Sequence, residues 1–324
     1  MSAPEGIEMS ERKKAATRDA YGKALLELGK QNKDVVALDA DLSASTKTIL
    51  FAKEFPDRFF DMGVAEQDMI STAAGLAACG KIAFASTFAV FGSGRAWEQV
   101  RISVAYTRLN VKIVVTHAGI TTGEDGASHQ ANEDLAIMRV IPNMTVICPS
   151  DAVEAEKAVK AAAAFHGPAY IRLSRLSTPI INDNPDYDFK IGRGIMLRDG
   201  KDVTIIACGL MVAEALDAAD TLQKEGISAR VVNLHTIKPL DKEIIVKCAQ
   251  DTGAIVTAEE HSIIGGLGGA VAEVVGENCP VPMARVGIKD MFGESGKPEE
   301  LLVKYGLTQE EIVQAVRSAI SRKK

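Results

Sequence analysis

Val111-Lys-Ile-Val-Val-Thr116 runs directly into His117-Ala-Gly-Ile-Thr-Thr-Gly-Glu-Asp-Gly-Ala-Ser-His129-Gln130, joining an apolar run to a loop with two of the five histidines, two carboxylates and three glycines. A mostly apolar run of this length suits a buried strand, and the loop leaves its carboxyl end. In an open α/β sheet such loops lie in the crevice beyond the strand ends, where ligands bind. The side chains suit a polyhydroxylated substrate. Imidazoles exchange hydrogen bonds with hydroxyls near neutral pH, a carboxylate accepts from them, and glycines let the backbone fold close to a ligand.

The same rhythm extends outward. Val35–Leu38, Ile82–Ala85, Lys112–Val115 and Thr145–Cys148 are candidate strands, with helices expected at Arg18–Gly29, Ala65–Ala78, Ala96–Thr107 and Ala152–Phe165. Pro149-Ser150-Asp151 starts the last helix and Gly167-Pro168 stops it. Pro179, Asn182, Asp183, Asn184, Pro185, Asp186 and Asp188 then mark a solvated linker. Beyond it come Val203–Cys208 (strand), Val212–Lys224 (helix), Ala229–Leu234 and Ala254–Ala258 (strands), and a helix from about Gly268. Thr308–Ser321 closes the chain as a helix with Ile312, Val313, Val316 and Ile320 on one face. Strands alternating with helices predict an α/β chain of two doubly wound, mostly parallel-sheet domains. The expected boundaries are a flexible tail 1–14, a first domain 15–178, a linker 179–191 and a second domain 192–324.

At 324 residues the chain is too long for one ordinary core. A net charge of −6 without a basic stripe argues against nucleic acid as partner. No apolar run approaches the roughly 18 residues of a membrane span, and Met1–Arg18 is too polar for a signal sequence. The expectation is a cytoplasmic protein with no membrane partner. Cys79, Cys148, Cys208, Cys248 and Cys279 are far apart, with no Cys-x-x-Cys and no histidine at ligand spacing. Buried free thiols and no metal site are expected.

Glu66, in Met62-Gly-Val-Ala-Glu-Gln-Asp-Met69, falls at the start of a helix rich in small residues (Ala73, Ala74, Gly75, Ala77, Ala78). Alone, it reads as a solvated first-turn acid favoured by the helix dipole. Phe88 and Phe91 alone read as core aromatics. Together the three residues can form an apolar slot for a flat heteroaromatic ring with one acid at its edge. Arg175, after a strand, can meet a substrate phosphate as a bidentate donor, and Arg18 and Ser45 can assist; each also reads as a surface residue. Gly265-Gly-Leu-Gly-Gly269 fails the dinucleotide pattern, because its final small residue is missing and Glu259-Glu260-His261 would face a pyrophosphate with negative charge. Close backbone packing or a helix N-terminus is expected there instead.

Ala40-Asp-Leu-Ser-Ala-Ser45, Gly63-Val-Ala-Glu66-Gln, Ser86-Thr-Phe88-Ala-Val-Phe91, the His117 to Gln130 loop and Leu173-Ser-Arg175 together resemble the pyrimidine-binding domain of transketolase. Val231-Val-Asn-Leu-His-Thr-Ile-Lys-Pro-Leu240, Ala258-Glu-Glu-His261 and Gly265–Gly269 resemble its carboxyl-terminal domain. The resemblance implies that Glu66 hydrogen-bonds the aminopyrimidine of thiamine diphosphate and promotes the imino tautomer that deprotonates the thiazolium carbon. Phe88 and Phe91 would pack on that ring and Asp41 would sit near the cofactor. The family often has a tyrosine where this chain has Gly94. His129 and Asp125 would hold hydroxyls of the donor ketose, completing a catalytic set with Glu66. His117, Arg175, Arg18 and Ser45 would bind the sugar phosphate. The implied reaction is transfer of a two-carbon ketol unit between ketose and aldose phosphates, as in the pentose phosphate pathway.

The family's amino-terminal domain grips diphosphate and metal through Gly-Asp-Gly and a later Asn, and this chain has no Gly-Asp-Gly. The resemblance therefore implies the carboxyl-terminal section of a split transketolase. An amino-terminal subunit would join it in an α2β2 heterotetramer and supply the ligands for Mg2+ or Ca2+. The rival readings are a deoxyxylulose-phosphate synthase fragment, a 2-oxoacid dehydrogenase beta subunit and a non-catalytic α/β binding subunit. A flavin or nicotinamide protein is disfavoured by the missing glycine fingerprint.

Overall fold

The computed structural model describes residues 12–184 and 187–323. Its strands are β1 (Lys14–Ala16), β2 (Val35–Asp39), β3 (Phe59–Asp61), β4 (Ile82–Phe88), β5 (Val111–Thr116), β6 (Thr145–Ile147), β7 (Ala169–Arg172), β8 (Ser177–Pro179), β9 (Ile195–Arg198), β10 (Val203–Ala207), β11 (Ala229–Asn233), β12 (Thr236–Lys238), β13 (Ile255–Ser262) and β14 (Met283–Ile288). One sheet runs β12-β6-β7-β5-β4-β2-β3, with every neighbouring pair parallel except β12 on β6. The other runs β14-β13-β10-β11-β9, parallel except for β9. These are the two mostly parallel α/β sheets the sequence predicts.

Both faces of the first sheet are covered, so its strands carry no polar alternation. Every residue of β5 is buried. On β2, Val36 and Leu38 pack with Met69, Ile70 and Ala73 of the helix Glu66–Ala78. Val35 and Ala37 point the other way, toward Tyr21, Leu25 and Val159 of the helices Thr17–Gln31 and Ala152–Ala164. Each such aliphatic side chain contributes about 1.5–3 kcal/mol of burial. Asp151 caps the helix Ala152–Ala164 by accepting from Glu154 N at 2.8 Å, as Pro149-Ser150-Asp151 predicts.

Several boundaries differ from expectation for tertiary reasons. The helix expected at Ala96–Thr107 is a run of wider π turns, Phe91–Arg95 and Val100–Tyr106, flanking Trp97–Gln99. Gly92 lets this segment approach the sheet, since a Cβ there would stand 2.9 Å from Val115. Lys14, expected in the tail, pairs with Pro179 in the β1–β8 ribbon; tail residues 1–11 lie outside the described residues. The linker is docked rather than solvated. Ile181 N and Asn182 N donate to Asp151 Oδ2 at 2.6 and 2.7 Å, and buried Phe189 lies against His235, ring centroids 4.2 Å apart. Pro185 and Asp186 of that linker are also outside the described residues.

The second domain also lends β12 to the sheet of the first. One apolar cluster crosses this border, joining Val146 and Tyr170 to Val232, Leu234 and Ile237. The strand expected at Ala254–Ala258 extends to Ser262 and takes Glu259-Glu260-His261 into the interior. Glu259, its carboxyl pushed up by burial, accepts from Leu267 N at 2.6 Å and Gly268 N at 2.8 Å. The glycine run thus forms the N-terminus of the helix Leu267–Asn278, with a carboxylate already seated on it. Among the cysteines, Cys148, Cys208 and Cys248 are buried and free, but Cys279 is half-buried and Cys79 is exposed. Among the described residues no helix is long and apolar enough to cross a membrane.

Candidate active site

Chain crossings bring distant residues to one edge of the first sheet. Along β7-β5-β4-β2-β3, the carboxyl ends lead to Arg175, His117, Phe88, the Asp41–Ser45 segment and the turn before Glu66. This is the edge where open α/β sheets bind ligands.

Phe88 ends β4, and Phe91 begins the first π turn. Their rings stack at 6.1 Å and 13°. His117 stacks on Phe88 with centroids 3.8 Å apart, and His129 meets Phe91 edge-on at 5.3 Å. The sequence motif thus assembles as one aromatic cluster. Glu66 is 3% exposed, which overturns its reading as a solvated acid. Arg95 Nη1 donates to its two carboxylate oxygens at 3.1 and 3.3 Å. The guanidinium carbon also lies 4.1 Å from the Phe91 centroid, a cation–π arrangement. Val64, Ala65, Glu66, Gln67, Asp68 and Arg95 line an open cleft of about 520 Å³.

The sequence reading missed Arg95, whose one signal was a cation four residues after Phe91. Its guanidinium places a flat, nitrogen-rich group against an aromatic face with its N–H donors on a buried carboxylate.

A cationic corner adjoins the slot. His117 has a left-handed backbone, φ +56, and is 3% exposed. Arg18 Nη1 lies 3.2 Å from its Nε2, and Thr116 Oγ1 lies 2.8 Å from its Nδ1. Burial, then the charges of Arg18, Arg175, His129 and Lys47, hold its pKa down at about 3, so the ring is neutral. Arginine can only donate, so Nε2 accepts and the proton sits on Nδ1, donated to Thr116. Arg18 also donates to Ser45 O at 3.2 Å, and its own pKa is lowered by burial and by Arg175. Arg175 donates to Thr122 O at 2.7 Å and Glu124 Oε2 at 3.2 Å. These contacts bring Arg18, Ser45, His117 and Arg175 together, with Lys47 as a further cation. Lys47 pairs with Asp19 at 3.3 Å and has φ +72; no sequence pattern marks such a backbone at a lysine.

The other expected residues sit nearby in a different way. His129 is half-buried, with Nδ1 2.9 Å from Ser128 Oγ. Asp125 is exposed on the loop. Asp41, also exposed, has φ +60 and donates its N–H to Asp61 Oδ1 at 3.1 Å. Among the described residues no group of three His, Cys, Asp or Glu is placed to hold a metal ion.

Known proteins resemble this chain over most of its length. Residues 13–180 match the family model "Transketolase, pyrimidine binding domain", and residues 192–312 match "Transketolase, C-terminal domain". A putative transketolase C-terminal section from Methanocaldococcus jannaschii is 55% identical over 307 residues, covering 94% of this chain and 96% of that one. A 6-deoxy-6-sulfo-D-fructose transketolase subunit from a Clostridium species is 49% identical over 94% of this chain and 95% of its own. A solved structure described as "Split gene transketolase, inactive beta4 tetramer" superposes with a TM-score of 0.89 at 58% identity, covering 95% of this chain and 99% of that one. The chain belongs to the transketolase family and corresponds to its carboxyl-terminal section, a pyrimidine-binding domain followed by the C-terminal domain.

Proposed function

We propose that this chain is the carboxyl-terminal subunit of a split transketolase, transferring a two-carbon ketol unit between sugar phosphates at a thiamine diphosphate site shared with an amino-terminal subunit. The observation that carries this is the arrangement itself: buried Glu66, joined through Arg95 to Phe91 of the stacked Phe88–Phe91 pair, beside the Arg18–His117–Arg175 corner. These residues fit the aminopyrimidine end of the cofactor. The diphosphate and its Mg2+ or Ca2+ are assigned to the partner in an α2β2 assembly. A structure of a related chain, described as an inactive beta4 tetramer, accords with a site incomplete on one subunit. The proposal includes a cytoplasmic enzyme of the pentose phosphate pathway, with functional domains at 15–178 and 192–324.

Thiamine diphosphate supplies a carbon centre that stabilises the carbanion left when a ketose is cleaved. The chain's own residues bind, orient and hold protons. Glu66 accepts a ring N–H in a site of low polarity, where that bond is stronger than in water. Phe88 and Phe91 fix the plane of the ring, and Asp41 lies at its approach. His129 and Asp125 take hydroxyls of the donor sugar. Arg18 and Arg175 exchange their carbonyl contacts for phosphate oxygens, joined by Ser45 and by His117, whose neutral ring adds no further positive charge. One relative is named for a sulfonated ketose; the same corner suits either anion, and phosphate is the substrate proposed here.

Arg95 must leave the slot before a ring can enter. Arg95→Ala is expected to tighten thiamine diphosphate binding to the assembled complex by about tenfold, the scale of one half-exposed ion pair plus one cation–π contact. Titration calorimetry measures this directly. Weaker binding in the variant would show that Arg95 holds the cofactor instead of competing with it.

The function itself is tested by co-purifying the chain with a subunit carrying Gly-Asp-Gly and Asn, then assaying ketol transfer with and without thiamine diphosphate. Cofactor-dependent transfer is expected. A complex that forms but transfers nothing from any ketose phosphate would overturn the proposal.

A further inference from the structure

The loop that carries His117, Asp125 and His129 belongs to the first domain, yet its support comes from the second. Glu260, near the end of β13, accepts from Thr121 N at 2.8 Å and from Thr121 Oγ1 at 2.7 Å, with both residues buried. Gly119 has φ +77, and a Cβ there would collide with the Glu260 carboxyl, so the acid lies directly against the loop backbone. Ile120, between them, is fully buried in the apolar core of the second domain. The far end of the loop rests on the same strand. Ser262 N donates to Asn132 O at 2.7 Å, and Arg172 bridges the two ends by donating to Ala131 O at 3.2 Å and Glu260 O at 2.9 Å.

We propose that Glu260 is a positioning residue for ketol transfer, anchoring the substrate-facing loop from the second domain so that His117, Asp125 and His129 are held where the sugar binds. This inference rests on the ketol-transfer reading above. It gives the second domain a part in sugar binding through a residue set behind the loop.

The charge of the anchor matters as well as its shape. Burial pushes the Glu260 carboxyl up to about 7, opposed by Arg172 and the two Thr121 bonds and reinforced by Asp134. Arg172 Nη1 lies 3.9 Å from Glu260 Oε2, so the ionised acid is drawn both to the loop and to Arg172. Burial outweighs these attractions, so the packed acid takes up its proton more readily than a solvated carboxyl does.

The test compares the wild-type complex with Glu260→Gln, which keeps the shape and removes the charge, and with Thr121→Val, which removes one donor only. Glu260→Gln is expected to raise KM for the ketose phosphate about tenfold above pH 7, with kcat changing less than about threefold, the scale of a lost charge-assisted hydrogen bond. Thr121→Val should raise KM by less. Amide exchange at residues 119–126 of the chain should be faster in Glu260→Gln, a readout independent of turnover. Wild-type KM and exchange in Glu260→Gln would overturn the anchor. If that variant does not fold, unchanged KM and exchange in Thr121→Val would overturn it. If the wild-type complex transfers no ketol unit, the functional reading fails, while amide exchange still decides whether Glu260 anchors the loop.

Discussion

Glu66→Ala in the assembled complex is expected to lower kcat for ketol transfer by about 10²–10⁴-fold, the range for removing a positioned acid–base group. Glu66 is the buried carboxylate at the edge of the aromatic slot, and Arg95 is the partner it holds there. The chain should still fold, because the group left unpaired, the Arg95 side chain, is 51% exposed and is rehydrated at little cost. KM for the sugar phosphate should change little, since the anion corner is built by Arg18, His117 and Arg175. Steady-state rates at saturating thiamine diphosphate, with circular dichroism to verify folding, measure both parts. A fully active variant would place the chain among non-catalytic binding subunits.

Asp134→Ala is expected to cost about 3–5 kcal/mol of stability, the scale for stripping one partner from a buried ion pair. Arg172 Nε donates to the two Asp134 oxygens at 3.1 and 2.9 Å, and Tyr170 Oη donates to the same acid at 2.8 Å. The side chains are 5% and 0% exposed. Burial works against the guanidinium charge, but Asp134, Cys148 and Glu260 together more than offset it, and the Arg172 pKa lies well above the usual value. Alanine leaves a buried cation without its bonded carboxylate, Glu260 standing 3.9 Å away, and a tyrosine hydroxyl without its acceptor. Arg172 also holds Ala131 O and Glu260 O, so the contact between the domains should weaken together with the fold. Urea denaturation read by tryptophan fluorescence and by circular dichroism gives the change. A loss below about 1 kcal/mol would mean that water or Glu260 rescues Arg172.

Much of this architecture is legible because parallel sheets write themselves locally. Val111–Thr116 is mostly apolar because both faces of its strand are covered, with Lys112 buried and donating to Phe165 O and Gly167 O, and the residues after it are polar because they lie in the crevice. Glu66, Phe88, Phe91 and Arg175 read alone as surface or core residues, and only the resemblance to transketolase joins them with His117 as a set. What sequence hides is the partner of each group. Arg95 is a lone arginine until a π turn lays it over Phe91. Glu260 resembles a surface acid until β13 carries it under Thr121, 139 residues away in the chain. Thr236–Lys238 shows no strand signature, because its pairing with β6 depends on how the domains meet. The linker looks solvated from its turn residues, yet Asp151 collects two of its amides. Except for Arg95 over Phe91, these misses are nonlocal contacts that no window of neighbouring residues encodes.

The central claim, that half of a reaction site resides on this chain, is tested most directly by titrating the purified chain with its amino-terminal partner and measuring ketol transfer at saturating thiamine diphosphate and Mg2+. The account predicts no measurable transfer by the chain alone and a rate that rises with added partner to a plateau at equal stoichiometry. Strong transfer by the chain alone would contradict it.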